Sequence, residues 1–108
     1  MPDTITVGET YLIGHYAWRW TVTEPVVKKP VTTITVCTAA VTKPDGTVTT
    51  TLIGGLLNPE PGRYELAATA TLAGDYVVDW TVAGTYTDEN SVLRSYAASP
   101  RHTFKVAA

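Results

Sequence analysis

Apolar and polar residues alternate along most of this chain, and the alternation is clearest in two runs. In the first, Tyr64, Leu66, Ala68, Ala70 and Leu72 share one parity, while Arg63, Glu65, Thr69 and Thr71 take the other. In the second, Tyr76, Val78, Trp80 and Val82 oppose Val77, Asp79 and Thr81. A period of two is that of a strand buried on one face, as in an antiparallel sheet packed on one side. The same reading predicts strands over Thr4–Val7, Thr10–Thr23, Val31–Val41, Val48–Ile53 and His102–Val106. In the last of these, Phe104 and Val106 point inward. Within Thr10–Thr23, Gly14-His15 is the expected break or bulge. Beyond it Tyr16, Trp18, Trp20 and Val22 fall on one parity, which assigns the rings to the core, with Ala17, Arg19 and Thr21 opposite. Three such rings beside Tyr76 and Trp80 overfill one layer of a small core, so a bulge that turns one outward is the competing expectation. In Val31–Val41, Ile34, Val36 and Ala40 share a side and Cys37 takes the other.

Turn formers punctuate these runs. Lys43-Pro44-Asp45-Gly46-Thr47 is a strong turn signal, because Pro presets φ and Gly accepts a positive φ. Loops are expected from Glu24-Pro25 to Lys29-Pro30 and from Gly54-Gly55 to Pro61-Gly62, and a turn at Ala73-Gly74-Asp75. The stretch Thr85–Pro100 is the longest expected loop. Asp88-Glu89-Asn90 could open a short helix there, with Val92, Leu93 and Tyr96 on one side.

Composition narrows the classes. Of 108 residues, 20 are Thr and 13 are Val, β-branched side chains that suit pleated strands. The length fits one domain over residues 1–108. A hydrophobic share of 44% with a net charge of −2 argues against disorder. The slight acid excess, without basic clusters, argues against a phosphate-binding nucleic-acid surface. No apolar run is long enough to span a bilayer, and Met1-Pro2-Asp3 does not read as the start of a secretory signal. A lone Cys cannot form an intramolecular disulfide.

Candidate chemistry is sparse. His15, His102 and Cys37 lack the carboxylates and spacing of a zinc site, and Cys37 reads as a buried strand residue rather than a nucleophile. Asp45-Gly46 and Asp88-Glu89-Asn90 read as turns, with too few oxygens for calcium. No Gly-rich phosphate cradle precedes a helix. The chain therefore offers no catalytic residue, metal site or cofactor site. Its candidate partner-binding residues are Trp18, Arg19, Tyr86, Leu93, Arg94 and Tyr96, since exposed Trp, Tyr and Arg are typical interface anchors and loops carry function on a rigid scaffold.

Six or seven strands in this length match the budget of an immunoglobulin-like antiparallel sandwich. Leu72-Ala73-Gly74-Asp75-Tyr76-Val77-Val78 resembles the corner before the sixth strand of such domains, with Val78 where a core Cys usually stands. The resemblance makes Tyr76 the corner residue and Tyr76, Val78 and Trp80 core. A narrower resemblance rests on Val7-Gly8-Glu9-Thr10, Val31–Val36, Thr42-Lys43-Pro44-Asp45-Gly46-Thr47-Val48-Thr49, Asn58–Tyr64 and Ala73–Gly84. In order and spacing these are similar to small immunoglobulin-like structural proteins of tailed bacteriophages and prophages of actinobacteria. The aromatic run Tyr16–Trp20 and the long penultimate loop depart from that pattern. The resemblance implies a disulfide-free sandwich of about seven strands with a long loop before the last. It also implies a non-enzymatic virion protein, in capsid decoration, the head–tail junction or the tail, docking on other virion proteins as a homo-oligomer or in repeated copies. A carbohydrate-binding or cell-surface adhesion sandwich is the alternative, with an accessory domain of a hydrolase behind it.

Overall fold

The computed structural model describes residues 4–108. Within them the chain is all-β, with one 3-10 turn at Ile53–Gly55 and no α-helix. The strands are β1 (Thr4–Thr6), β2 (Thr10–Tyr16), β3 (Trp18–Trp20), β4 (Lys28–Pro30), β5 (Thr33–Thr42) and β6 (Val48–Thr51). They continue with β7 (Leu57–Glu60), β8 (Arg63–Thr69), β9 (Gly74–Thr87), β10 (Leu93–Ala98) and β11 (Arg101–Ala107). The larger sheet runs β1-β11-β9-β5-β6, and β10 also pairs with β9. β1 pairs in parallel with β11, Thr4 facing Lys105, and the sheet's other pairs are antiparallel. A smaller sheet runs β2-β8-β7, and β3 and β4 form a separate two-stranded ribbon.

The two sheets face each other across one core, a sandwich-like arrangement. Tyr11 and Ile13 of β2 and Leu66 of β8 meet Cys37, Ala39 and Val41 of β5, Tyr76, Val78, Trp80 and Val82 of β9, and Phe104 and Val106 of β11. These are alternate residues of each strand, so the period of two in β8, β9 and β11 translates directly into burial. Tyr76, Val78 and Trp80 are all fully enclosed. The Tyr76 ring stacks on Phe104 at 5.2 Å, and its hydroxyl accepts the backbone N–H groups of Thr71 and Leu72 at 3.2 and 3.1 Å. The Lys43–Thr47 turn closes the β5–β6 hairpin: Asp45 Oδ1 accepts the Thr47 N–H, and Gly46 has φ +87°.

Four expectations need correction. The long second strand breaks at Ala17, not at Gly14-His15, and the burial of its second half is inverted. Ala17 is completely buried and Thr21 nearly so, while Trp20 is 55% exposed and Tyr16 and Val22 also face solvent. Ala17 donates to the Gly62 carbonyl and accepts from Val31, so the chain leaves the small sheet here to pair with β4. In β5 a bulge between Ile34 and Val36 switches parity, so Cys37, Ala39 and Val41 face inward and Val36 faces out. The stretches from Glu24 to Pro30 and from Gly54 to Gly62 are not all loop, since they contain β4 and β7. Thr85–Pro100 forms neither a loop nor a helix. β9 continues to Thr87 and β10 returns along it with Leu93 opposite Thr87, so this segment is mostly a hairpin. The sequence budget of about seven strands thus becomes eleven segments among the described residues, because β3 splits off the second strand and β4, β7 and β10 form in stretches read as loops.

Candidate interaction surface

The molecule is elongated, 52 × 23 × 19 Å. β9 sets the long axis. At its Gly74 end lie the turns joining β1–β2, β5–β6 and β8–β9, here the near end. At its Thr87 end the β9–β10 hairpin and the β3–β4 ribbon project together as the far end.

Asp88 builds the hairpin tip. Its Oδ1 accepts the N–H groups of Asn90 and Val92 at 2.9 and 3.0 Å, and its Oδ2 accepts Arg94 Nε at 3.0 Å. These donors, the Val92 N–H foremost, hold its carboxyl below the usual aspartate range. Ser91 turns the chain with φ +61°. Glu89 then ties the ribbon to the hairpin. It accepts both terminal nitrogens of Arg19, at 2.7 and 3.1 Å, and the Val22 N–H at 2.9 Å. Arg19 followed by Val22 drives the Glu89 carboxyl down to about 2. The Arg19 guanidinium also lies 4.8 Å from the Tyr86 ring centroid. Because Lys29 stands directly opposite Arg19 in the ribbon, Glu89 also offsets a like-charge cross-strand pair.

With Arg19 turned toward the hairpin, alternation turns Trp18 and Trp20 away from it. Their rings meet edge to face at 5.2 Å and 88°. Lys28, directly opposite Trp20, places its ammonium 4.0 Å from the Trp18 centroid and 5.9 Å from that of Trp20. Val22, Val26, Val27 and Val92 are exposed around this end, and Leu93 is 70% exposed. Lys28 and Lys29 have no salt-bridge partner among the described residues.

The candidate residues therefore divide. Leu93 is presented outward at the far end, and Trp18 lies there half-buried under Lys28 and Trp20. Arg19 and Tyr86 pack together between ribbon and hairpin, and Arg94, an exposed side chain, pairs with Asp88 at the tip. Tyr96 sits farther back on β10, where its hydroxyl meets His15 Nε2 at 2.8 Å. Sequence reasoning missed Trp20, Lys28, Val22, Val26 and Val27 as surface, and Asp88 and Glu89 as organisers. Trp20 was assigned with Trp18 to the core by parity, and Lys28 lay in a segment read as loop. The one usable signal was the crowding of rings.

The rest of the surface offers little chemistry. Burial pushes the Cys37 thiol up to about 11, so it is a poor nucleophile. Burial and the nearby His102 lower the His15 pKa. An open groove of about 430 Å³ lies between β2 and β11, lined by Leu12, Ile13, His102 and Phe104 among others, and it gathers no base–nucleophile pair. Among the described residues no group of three His, Cys, Asp or Glu side chains is placed to hold a metal ion, and no helix is long and apolar enough to cross a membrane.

Compared with protein families, with curated proteins and with solved structures, the chain matches none of them.

Proposed function

We propose that this chain is a non-enzymatic docking module with an immunoglobulin-like sandwich, serving as a structural component of a tailed-phage virion. The fold part of the reading is supported by the sheet order, with the first strand parallel to the last, and by the Tyr76 hydroxyl capping the turn before β9. The virion part is supported by the sequence resemblance. Repeated copies on a capsid, neck or tail make a weak contact effective through local concentration.

One observation carries the docking role. The far end pairs Arg19 with Glu89 and Arg94 with Asp88 and turns Trp20, Val22, Val26, Val27 and Leu93 to solvent. Exposed apolar groups gathered at one end of a domain mark interaction sites.

A carbohydrate-binding role is favoured by Tyr16 and Trp20 lying exposed on one parity. Against it, Trp18 and Trp20 stand perpendicular and Lys28 lies over the Trp18 ring, so no flat stacking platform forms. Antibody labelling of purified particles in electron micrographs tests the leading reading. Labelling at a repeated location on the head, neck or tail is expected. Absence from particles, or a Trp fluorescence change on adding glycans, overturns it.

A further inference from the structure

The two ends of the molecule differ in charge as well as shape. With the hairpin included, the far end carries Arg19, Lys28, Lys29 and Arg94 against Glu24, Asp88 and Glu89, a formal +1 within a chain of −2. Glu89 takes up Arg19 and Asp88 takes up Arg94, which leaves Lys28 and Lys29 as the uncommitted cations of the far end. Lys28 is held against Trp18 and Trp20, so its ammonium is already positioned. The near end is the converse. It carries Glu9 and Asp45 in turns and Asp75 at the start of β9, none in a salt bridge among the described residues, with Glu9 Oε1 accepting the Thr6 N–H at 3.1 Å. Two lysines are close by. Lys43 is directed to Thr71 Oγ1 at 3.4 Å, and Lys105 stands opposite Asp75 in the β9–β11 register. Val7 and Val48 add exposed apolar surface at the same end.

Building on the docking reading above, we propose that the far end of one copy binds the near end of the next. Lys28 and Lys29 meet Glu9 and Asp75, and the Trp20–Val22–Val26–Val27 surface covers Val7 and Val48. The contact is heterologous, joining two different patches, so it propagates into a ring or a filament rather than stopping at a dimer. Its size is small. With a cross-section of 23 × 19 Å, two ends bury well under the roughly 1,600 Å² of a standard interface. Free protein therefore associates weakly, and a ring or lattice supplies the rest.

Sedimentation velocity on the full chain, with paired charge reversals, tests this. Lys28→Glu/Lys29→Glu makes both ends acidic, and Glu9→Lys/Asp75→Lys makes both basic. All four residues are exposed, and unchanged thermal melts establish that each variant is folded. The wild type is expected to self-associate increasingly up to about 1 mM at low salt. Each variant alone should associate at least tenfold more weakly, and their equimolar mixture should recover wild-type association. A wild type that stays monomeric, variants that associate as it does, or a mixture that fails to recover each overturns the proposal. If any of these occurs while antibody still labels particles, docking stands and only the second copy as partner is lost.

Discussion

At the scale of single residues, a few polar groups hold the chain in register. Tyr76 fills the core with its ring and ends two otherwise unpaired N–H groups with its hydroxyl. Tyr76→Phe keeps the ring and leaves the Thr71 and Leu72 N–H groups without that acceptor. A loss of about 0.5–1.5 kcal/mol is expected in urea unfolding, the net worth of a hydrogen bond whose part-buried donors can be taken up by water. His15 gives a pH signature. It is half-buried against Tyr96 and Trp80, and His102 lies near enough to oppose its charge. Its folded pKa is below the unfolded 6.5, so the unfolded chain binds more protons in the interval between them. Stability therefore falls as pH drops below about 6.5 and levels off beneath the folded value. Thermal melts of wild type and His15→Gln should diverge across that interval, with the variant the less pH-dependent.

At the scale of elements, β9 organises the fold. It is 14 residues long and pairs with β5 on one side and with β11 and then β10 on the other. Near its far end Gly84 sits opposite Ile34, where β5 bulges. A Cβ there would collide with the Thr33 carbonyl oxygen and press on the Ile34 Cα at 3.0 Å. Both are backbone atoms that cannot rotate away. Gly84→Ala should cost about 1–3 kcal/mol, as overpacking does. Hydrogen exchange should show the loss concentrated at the bulge and β10, with the β5–β6 hairpin less affected. The bulge also shows why sequence reading placed β5 and the burial of Cys37 correctly but put Ile34 on the same side as Val36. One extra residue inverts every side chain beyond it, and Thr33-Ile34-Thr35-Val36 carries no Gly or Pro to announce the event.

At the scale of the whole molecule, the question is how the ribbon stays attached to the sandwich. Arg19, Glu89 and the Val22 N–H make that joint. Glu89 titrates at about 2, below its usual 4.5, so it favours attachment at and above pH 4.5. That contribution declines as pH falls below 4.5 and is gone once pH passes about 2. The Val22 amide resonance should therefore move with a midpoint near 2. In Glu89→Gln the ribbon should loosen at neutral pH, seen as faster exchange of the Val22 N–H with the core unchanged. Trp20→Ser forfeits the edge-to-face contact with Trp18, so urea unfolding should show a loss of about 0.5–1.5 kcal/mol, and sedimentation velocity of the still-folded variant should show docking removed.

The all-β class, the β5–β6 turn, the inward faces of β8, β9 and β11, and the core role of Tyr76, Val78 and Trp80 were legible in the sequence. Each follows from local alternation or from turn chemistry, which act over a few residues. The candidate site was legible only in part. Trp18 and Leu93 fell at the far end, whereas Arg19 and Tyr86 turned toward each other and Arg94 paired with Asp88 while staying exposed. Trp20 and Lys28 became a surface pair only through the β3–β4 pairing. Only the tertiary structure decided these, because burial of a parity depends on which sheet a strand joins. At Ala17 the chain leaves one sheet for a ribbon docked by Glu89, from 70 residues away. No local pattern within Tyr16–Val22 encodes that contact, yet it turns the tryptophans outward.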